Sequence, residues 1–237
     1  MEVLRALMRF FTSNDLEGCA MAYSGGLDSS VLLALGPKSV VPYTLGEQGS
    51  RDFSNSLDGA ARLGFSPVFV PISSVDLVRY VELVRSIDHS IKKKDLGYEV
   101  VLAILLDHIS EVKVITGQGA DEIFYGYSIF SENPNMDNSL HMKKLYQETL
   151  PREQAIAEHY GKKLITPYLS SGIVEIMENI GREENFAGGF NKAILRSAGM
   201  EAGMPQDIVE RRKTAAQYGS GLMKKLKSLP IWSNLPQ

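Results

Sequence analysis

Val3, Leu4, Leu7, Met8 and Phe11 recur at helical spacing, so an amphipathic helix opens the chain. Four apolar runs follow, at 19–23, 39–45, 67–72 and 112–116. Each is too short for a helix and is bounded by Gly, Pro or Ser, which predicts buried strands. Helical patterns lie between or beside them at 28–35, 52–63, 75–87 and 99–109. The last of these is apolar nearly all round and is expected to be packed on both sides. Strands alternating with helices predict an open α/β domain with a parallel sheet over roughly residues 15–130. Beyond that the strand signal fades, and short helices are expected at 136–148, 152–160, 172–180, 191–198, 207–212 and 223–227. The organisation expected is an α/β domain over 1–130 and a helical C-terminal lobe over 131–237, packed as one compact unit.

Composition narrows this further. The 237 residues are 44% hydrophobic and carry a formal charge of −3, so the chain is not built to coat nucleic acid or an anionic membrane. One cysteine, Cys19, rules out a disulfide framework, and its apolar run makes it a core residue. His89, His108, His141 and His159 form no metal-ligand pair. No run approaches the length of a membrane span, and no signal-peptide pattern opens the chain, so a cytoplasmic location is expected.

The chemistry concentrates where the first strand meets the next helix, at Ser24-Gly25-Gly26-Leu27-Asp28-Ser29-Ser30. Such a junction exposes backbone N–H groups at the positive end of a helix, a cradle for phosphate. Two glycines permit the tight turn and the close approach of backbone to phosphate oxygens. Serine hydroxyls add donors, and Asp28 can hold a magnesium ion against the phosphates. The mononucleotide P-loop is excluded, because no lysine follows the glycines. A second such element, Thr116-Gly117-Gln118-Gly119-Ala120-Asp121-Glu122, follows the fourth expected strand. Its Asp121 could meet Asp28 across a bound pyrophosphate, the two carboxylates sharing magnesium.

The first loop resembles the signature of the PP-loop ATP pyrophosphatases, which cleave ATP between its α and β phosphates. That resemblance implies a five-stranded parallel sheet of the adenine nucleotide alpha-hydrolase type, Rossmann-like in outline, with ATP at the strand C-termini. The second loop and Phe124-Tyr125-Gly126-Tyr127 resemble the Ser-Gly-Glu-Gly-Ser-Asp-Glu-x-Phe-Gly-Gly-Tyr stretch of asparagine synthetases. Pro167-Tyr168-Leu169, Lys192 to Arg196, and Arg211-Arg212-Lys213 with Gly219-Ser220-Gly221 continue the likeness over roughly residues 16–222. The chain is identified on this resemblance as a compact member of the family's synthetase domain.

In that family ATP activates a carboxylate as an acyl-adenylate and an amine displaces AMP. The resemblance implies ATP and Mg2+ as cofactors. It places phosphate at Ser24, Gly25, Gly26 and Ser29, magnesium at Asp28 and Asp121, and adenosine at Tyr23, Leu45, Thr116 and Gly117. Lys213 matches the lysine that neutralises the developing pyrophosphate charge, with Lys192 a weaker candidate for the same anion. Residue 2 is Glu2, and about fifteen residues precede the first strand, where glutaminase-bearing members carry a whole domain with a nucleophilic cysteine. Ammonia or an amine is therefore expected from outside the chain, for example from a separate glutaminase. Gln118 stands where the family has a glutamate, and an amide cannot act as a base. The aspartate-recognition stretch is replaced by Lys92-Lys93-Lys94-Asp95-Leu96-Gly97-Tyr98-Glu99, its lysines expected to be solvated. Ser170 and Ile165 also depart from the family pattern.

The expected activity is an AMP- and pyrophosphate-forming ligase acting on aspartate or a related small carboxylate, with no nucleic-acid or membrane partner and compatible with a homo-oligomer. The alternatives are a PP-loop enzyme modifying RNA or a nucleotide precursor, and an ATP-binding subunit that has lost catalysis.

Overall fold

The structure is a computed structural model that describes residues 2–233 and 235. Five parallel strands form one sheet: β1 (Ala20–Ala22), β2 (Val41–Gly46), β3 (Val68–Pro71), β4 (Lys113–Ile115) and β5 (Lys163–Ile165). Their order is β3-β2-β1-β4-β5, so the chain reverses direction across the sheet between β1 and β4. In an open α/β sheet, ligands bind in the crevice outside the strand C-termini at that reversal. The loops after β1 and β4 are neighbours there.

The first four strands fall within the expected apolar runs to within a residue or two. The fifth does not, for it lies in the stretch read as short helices. Lys163-Leu164-Ile165 is three residues long and pairs only with β4 at the sheet edge, so it carries too little apolar signal to be read. The C-terminal stretch is therefore helical apart from this strand, which completes the sheet.

Helix α1 (Glu2–Ser13) buries Val3, Leu4, Leu7 and Phe11, the expected stripe. The crossover helices are α2 (Leu27–Leu35), α3 (Arg51–Arg62), α4 (Leu77–Ile87) and α5 (Lys93–His108). Eleven of the sixteen residues of α5 are buried, among them Leu96 and all seven positions from Val100 to Leu106, which confirms packing on both sides. It begins six residues earlier than expected: Lys93 and Lys94 form its first turn, and Lys92 and Lys94 are exposed. The short helix α6 (Ala120–Ile123) follows β4, and α7 (Ser128–Glu132) and α8 (Ser139–Lys144) come next. Helix α8 runs through a π turn (Leu145–Thr149) into α9 (Leu150–His159). Pro151 sits just after that turn, and without an N–H it cannot continue the regular hydrogen-bond ladder. Helices α10 (Ser171–Glu178) and α11 (Ala193–Glu201) pack against α1, and Cys19 is fully buried in the core.

Candidate active site

A cavity of about 730 Å³ opens at the strand C-termini. Its walls include Tyr23, Ser24, Gly26, Asp28, Ser29, Leu45, Gly117, Gln118, Asp121, Lys192 and Lys213, so eleven of the thirteen expected site residues meet there. Gly25 and Thr116 stand behind the wall. Gly25 turns the loop after β1 with a φ of +70°, and a Cβ there would lie 2.5 Å from the Ser56 nitrogen and 2.6 Å from the Asn55 carbonyl oxygen of α3. Thr116 is buried; its N–H donates to the Ile165 carbonyl (2.9 Å), and its hydroxyl accepts from the Gln118 N–H (3.4 Å). Gly26 caps α2 with no side chain satisfying the helix's first N–H groups. That leaves donors free at the positive helix end. Ser24 and Ser29 hydroxyls lie 3.4 Å apart beside them.

At the centre is a charge cluster. The Lys192 ammonium lies 2.7 Å from both carboxylate oxygens of Asp28 and 2.7 Å from Oδ1 of Asp121. Lys213 Nζ lies 2.6 Å from Oδ2 of Asp121 and 4.1 Å from the Tyr127 ring centroid, a cation–π contact. Burial alone would raise the Asp121 carboxyl, but the Lys192 and Lys213 ammoniums override it and hold the group at about 2. Burial likewise works against charge on Lys192, and Asp121 and Asp28 reverse the balance, so its ammonium is held more tightly than usual. Lys192 reaches this position from a left-handed backbone (φ 58°) just before α11, and Gly126 leaves the space; a Cβ at Gly126 would overlap its Cε. The sequence ranks Lys192 below Lys213, yet Lys192 is the deeper of the two and touches both aspartates.

Other residues of the site had no role assigned from sequence. Arg211 Nη1 donates to the carbonyls of Gly25 and Asn55, both at 2.9 Å, and its other nitrogen pairs with Asp58, so it clamps the loop after β1 onto α3. It lies two residues before Lys213 within the Arg-Arg-Lys motif, the one signal that could have found it. Tyr127 lines the cavity and donates to Glu122 Oε1 (2.6 Å). Glu153 of α9 accepts from Gln118 Nε2 at 2.7 Å. Lys144, at the end of α8, pairs with Asp95 at 2.7 and 2.8 Å, and Arg152 of α9 pairs with Glu99 (2.7 Å) and with Asp88 (2.5 Å). Of the acids in the replaced recognition stretch, Asp95 is thus tied to α8 and Glu99 to the helix that carries Glu153.

Among the described residues no cluster of three or more His, Cys, Asp or Glu side chains could hold a metal by itself. Asp28 and Asp121 nonetheless converge on one ammonium, so they stand close enough to share a single cation. Two carboxylates completed by phosphate oxygens and water is the donor set magnesium takes beside a nucleotide.

Asp52 also faces the cavity, from the first turn of α3, and a Cβ on Gly219 would overlap its carboxylate. Burial pushes this carboxyl up to about 7. The folded state therefore holds a proton that the unfolded chain releases near pH ~4, and stability falls as pH rises from about 4 to about 7. Between about pH 5.5 and pH 7.5 the Asp52→Asn variant should gain about 2 kcal/mol relative to the wild-type chain, read by urea unfolding. A constant difference between the two proteins across that range would show that Asp52 is charged in the fold.

The family model described as asparagine synthase matches residues 17–141 and 136–229, nearly the whole chain. The chain belongs to the asparagine synthase family. It is 26% identical over 228 residues to the asparagine synthetase [glutamine-hydrolyzing] of Gallus gallus, covering 88% of this chain and 40% of that protein. It is 27% identical over 251 residues to the putative asparagine synthetase [glutamine-hydrolyzing] 1 of Methanocaldococcus jannaschii, covering 87% and 46%. The chain thus spans less than half the length of these relatives. Among solved structures, NMN synthetase from Francisella tularensis aligns with a TM-score of 0.42 at 14% identity, covering 96% of this chain and 81% of that one. The family match accounts for both loops: the region matched holds the Gly-rich turn after β1 and the acid-bearing turn after β4, the two elements whose side chains Lys192 ties together. No helix of the described residues is long and apolar enough to cross a membrane.

Proposed function

We propose that the chain is an ATP-dependent, AMP- and pyrophosphate-forming ligase that adenylates a small carboxylate, aspartate or a relative of it, for attack by ammonia or an amine. The observation that supports this best is the Asp28–Lys192–Asp121–Lys213 cluster beside the free N–H groups of α2. Two ammoniums and one helix end converge where a triphosphate would lie along the loop after β1. In this reading Ser24, Gly25, Gly26 and Ser29 cradle the phosphates through backbone and hydroxyl donors. Lys213 and Lys192 stabilise the negative charge that grows on the departing pyrophosphate. Asp28 and Asp121 would hold magnesium, whose chemistry is to neutralise the phosphate oxygens. Tyr23, Leu45 and Gly117 wall the adenosine end, with Thr116 behind them. The amine is ammonia or an amine that reaches the cavity from solution or from a glutaminase.

The test is ATP turnover with magnesium, resolving AMP plus pyrophosphate from ADP plus phosphate. It is run with aspartate and ammonium, then with a panel of small carboxylates, beside Asp121→Asn. AMP and pyrophosphate that depend on one carboxylate and disappear in the variant are expected. ADP as the product, or turnover indifferent to every carboxylate, would sink the reading.

A further inference from the structure

Gln118 leaves the amine half-reaction of the ligase reading without the base expected at its position, and a buried acid stands beside it. The Gly119 N–H donates to Gln118 Oε1 at 3.3 Å, which turns the amide so that its NH2 faces α9. That NH2 donates to Glu153 Oε1 at 2.7 Å. Gly119 is required for this turn: its φ is +87°, and a Cβ would lie 2.6 Å from Leu169 Cγ. Glu153 is only 7% exposed, yet it lines the same cavity as Asp28 and Lys192. Glu122, also 7% exposed, lines it too, and its Oε2 is buried without a hydrogen-bond partner. Neither glutamate forms an ion pair among the described residues, whereas their neighbours Asp95 and Glu99 are paired with Lys144 and Arg152. Two buried acids with no cation, one with an unmet acceptor, favour a ligand that brings N–H donors.

Resting on the ligase reading, we propose that Glu153 is the general base of the amine half-reaction, positioned by Gln118, and that the amino nucleophile binds between Glu153 and Glu122. The Glu153 carboxylate takes a proton from the amine nitrogen. The nitrogen lone pair forms the C–N bond to the acyl carbon, and the C–O bond to AMP breaks with its electron pair leaving on the phosphate oxygen. Burial, then Glu99 and Glu122, raise the Glu153 carboxyl well above the ordinary range, with Arg152 opposing. Such a group is a stronger base than a solvated glutamate.

The two half-reactions separate this proposal from a purely structural role. Adenylation is read as carboxylate-dependent exchange of radiolabelled pyrophosphate into ATP, using the carboxylate that the turnover assay identifies. Amide formation is read with ammonium and, separately, with hydroxylamine, which is largely unprotonated at neutral pH and needs little base assistance. In Glu153→Gln, amide formation with ammonium should fall about 100-fold or more while exchange falls far less. Hydroxylamine should restore most of the loss. Glu153→Asp, which keeps the charge but withdraws it from Gln118, should show the same split and covers the case in which Glu153→Gln does not fold. Parallel loss of both half-reactions, an unchanged rate with ammonium, or no recovery with hydroxylamine would each overturn the assignment. Absence of carboxylate-dependent exchange in the wild-type chain would instead overturn the ligase reading itself.

Discussion

Replacing Lys192 by methionine is expected to lower ATP turnover by roughly 10³-fold and to destabilise the fold. The loss in rate follows from its position: its ammonium is buried and fixed by Asp28 and Asp121, and in the ligase reading proposed above it faces the phosphate charge that develops. A preorganised donor of this kind is worth about 10²–10³ in rate, and a full charge in a buried site lies at the upper end. The loss in stability follows from what is left behind. Asp28 and Asp121 would face each other with Lys213 as the remaining ammonium, and breaking a buried ion pair by removing one partner costs about 3–5 kcal/mol. The sign with pH is fixed by Asp121. Its carboxyl is held at about 2 in the fold, so the pairing contributes fully above the unfolded value near ~4 and is lost as pH falls toward about 2. The deficit of the variant should therefore be complete at neutral pH and shrink below about pH 4. Arginine should not rescue, since the space beside Gly126 already excludes one added carbon and a planar guanidinium is larger. Urea unfolding at neutral and acidic pH, beside steady-state turnover, checks both parts. A variant as stable as the wild-type chain at every pH would show that Lys192 is not the counter-ion of the two aspartates.

The parts of this site that were legible in the sequence are those fixed locally. The turns after β1 and β4 announce themselves because only small residues fit a strand-to-helix junction, and the apolar runs before them are bounded by Gly and Pro. The residues that were hidden act across long separations. Glu153 lies 35 residues from Gln118, and nothing in Arg-Glu-Gln-Ala at 152–155 distinguishes a site acid from a solvated helical face. It faces inward from the first turn of α9, directly after a π turn beside Pro151, a feature without a hydrophobic period. Lys192 is similar: its reach to Asp28, 164 residues away, rests on a left-handed backbone before α11 and on the missing side chain at Gly126. The strand β5 was hidden for a different reason, since three residues paired on one side carry almost no pattern. The early start of α5 was hidden too: the lysines Lys93 and Lys94 oppose the helix dipole in a first turn, and the burial of Asp95, Leu96 and Gly97 prevailed over that cost.

Gly25→Ala should remove ATP binding and cost several kcal/mol, a larger effect than any other methyl added to this loop. Two separate penalties meet at this residue. A φ of +70° costs a residue with a Cβ about 1–3 kcal/mol. The new carbon would also be pressed to 2.5–2.6 Å from backbone atoms of Asn55 and Ser56, and these cannot rotate away as a side chain could. Arg211 tightens the constraint, because it holds the Gly25 and Asn55 carbonyls together through one guanidinium nitrogen at 2.9 Å each. The loop can relieve the overlap only by leaving α3, which breaks the clamp and carries Ser24, Gly26 and the first turn of α2 away from the cavity. Gly18→Ala separates the two penalties: φ is +62° there, but a Cβ would meet nothing within 4 Å. That variant should lose about 1 kcal/mol from backbone strain alone and keep its nucleotide affinity. Calorimetric titration with ATP and thermal unfolding of both variants make the comparison. Equal losses in the two would mean that strain accounts for everything and that the packing of the loop on α3 contributes nothing. A Gly25→Ala chain that binds ATP as the wild type does would mean that the loop does not hold the phosphates.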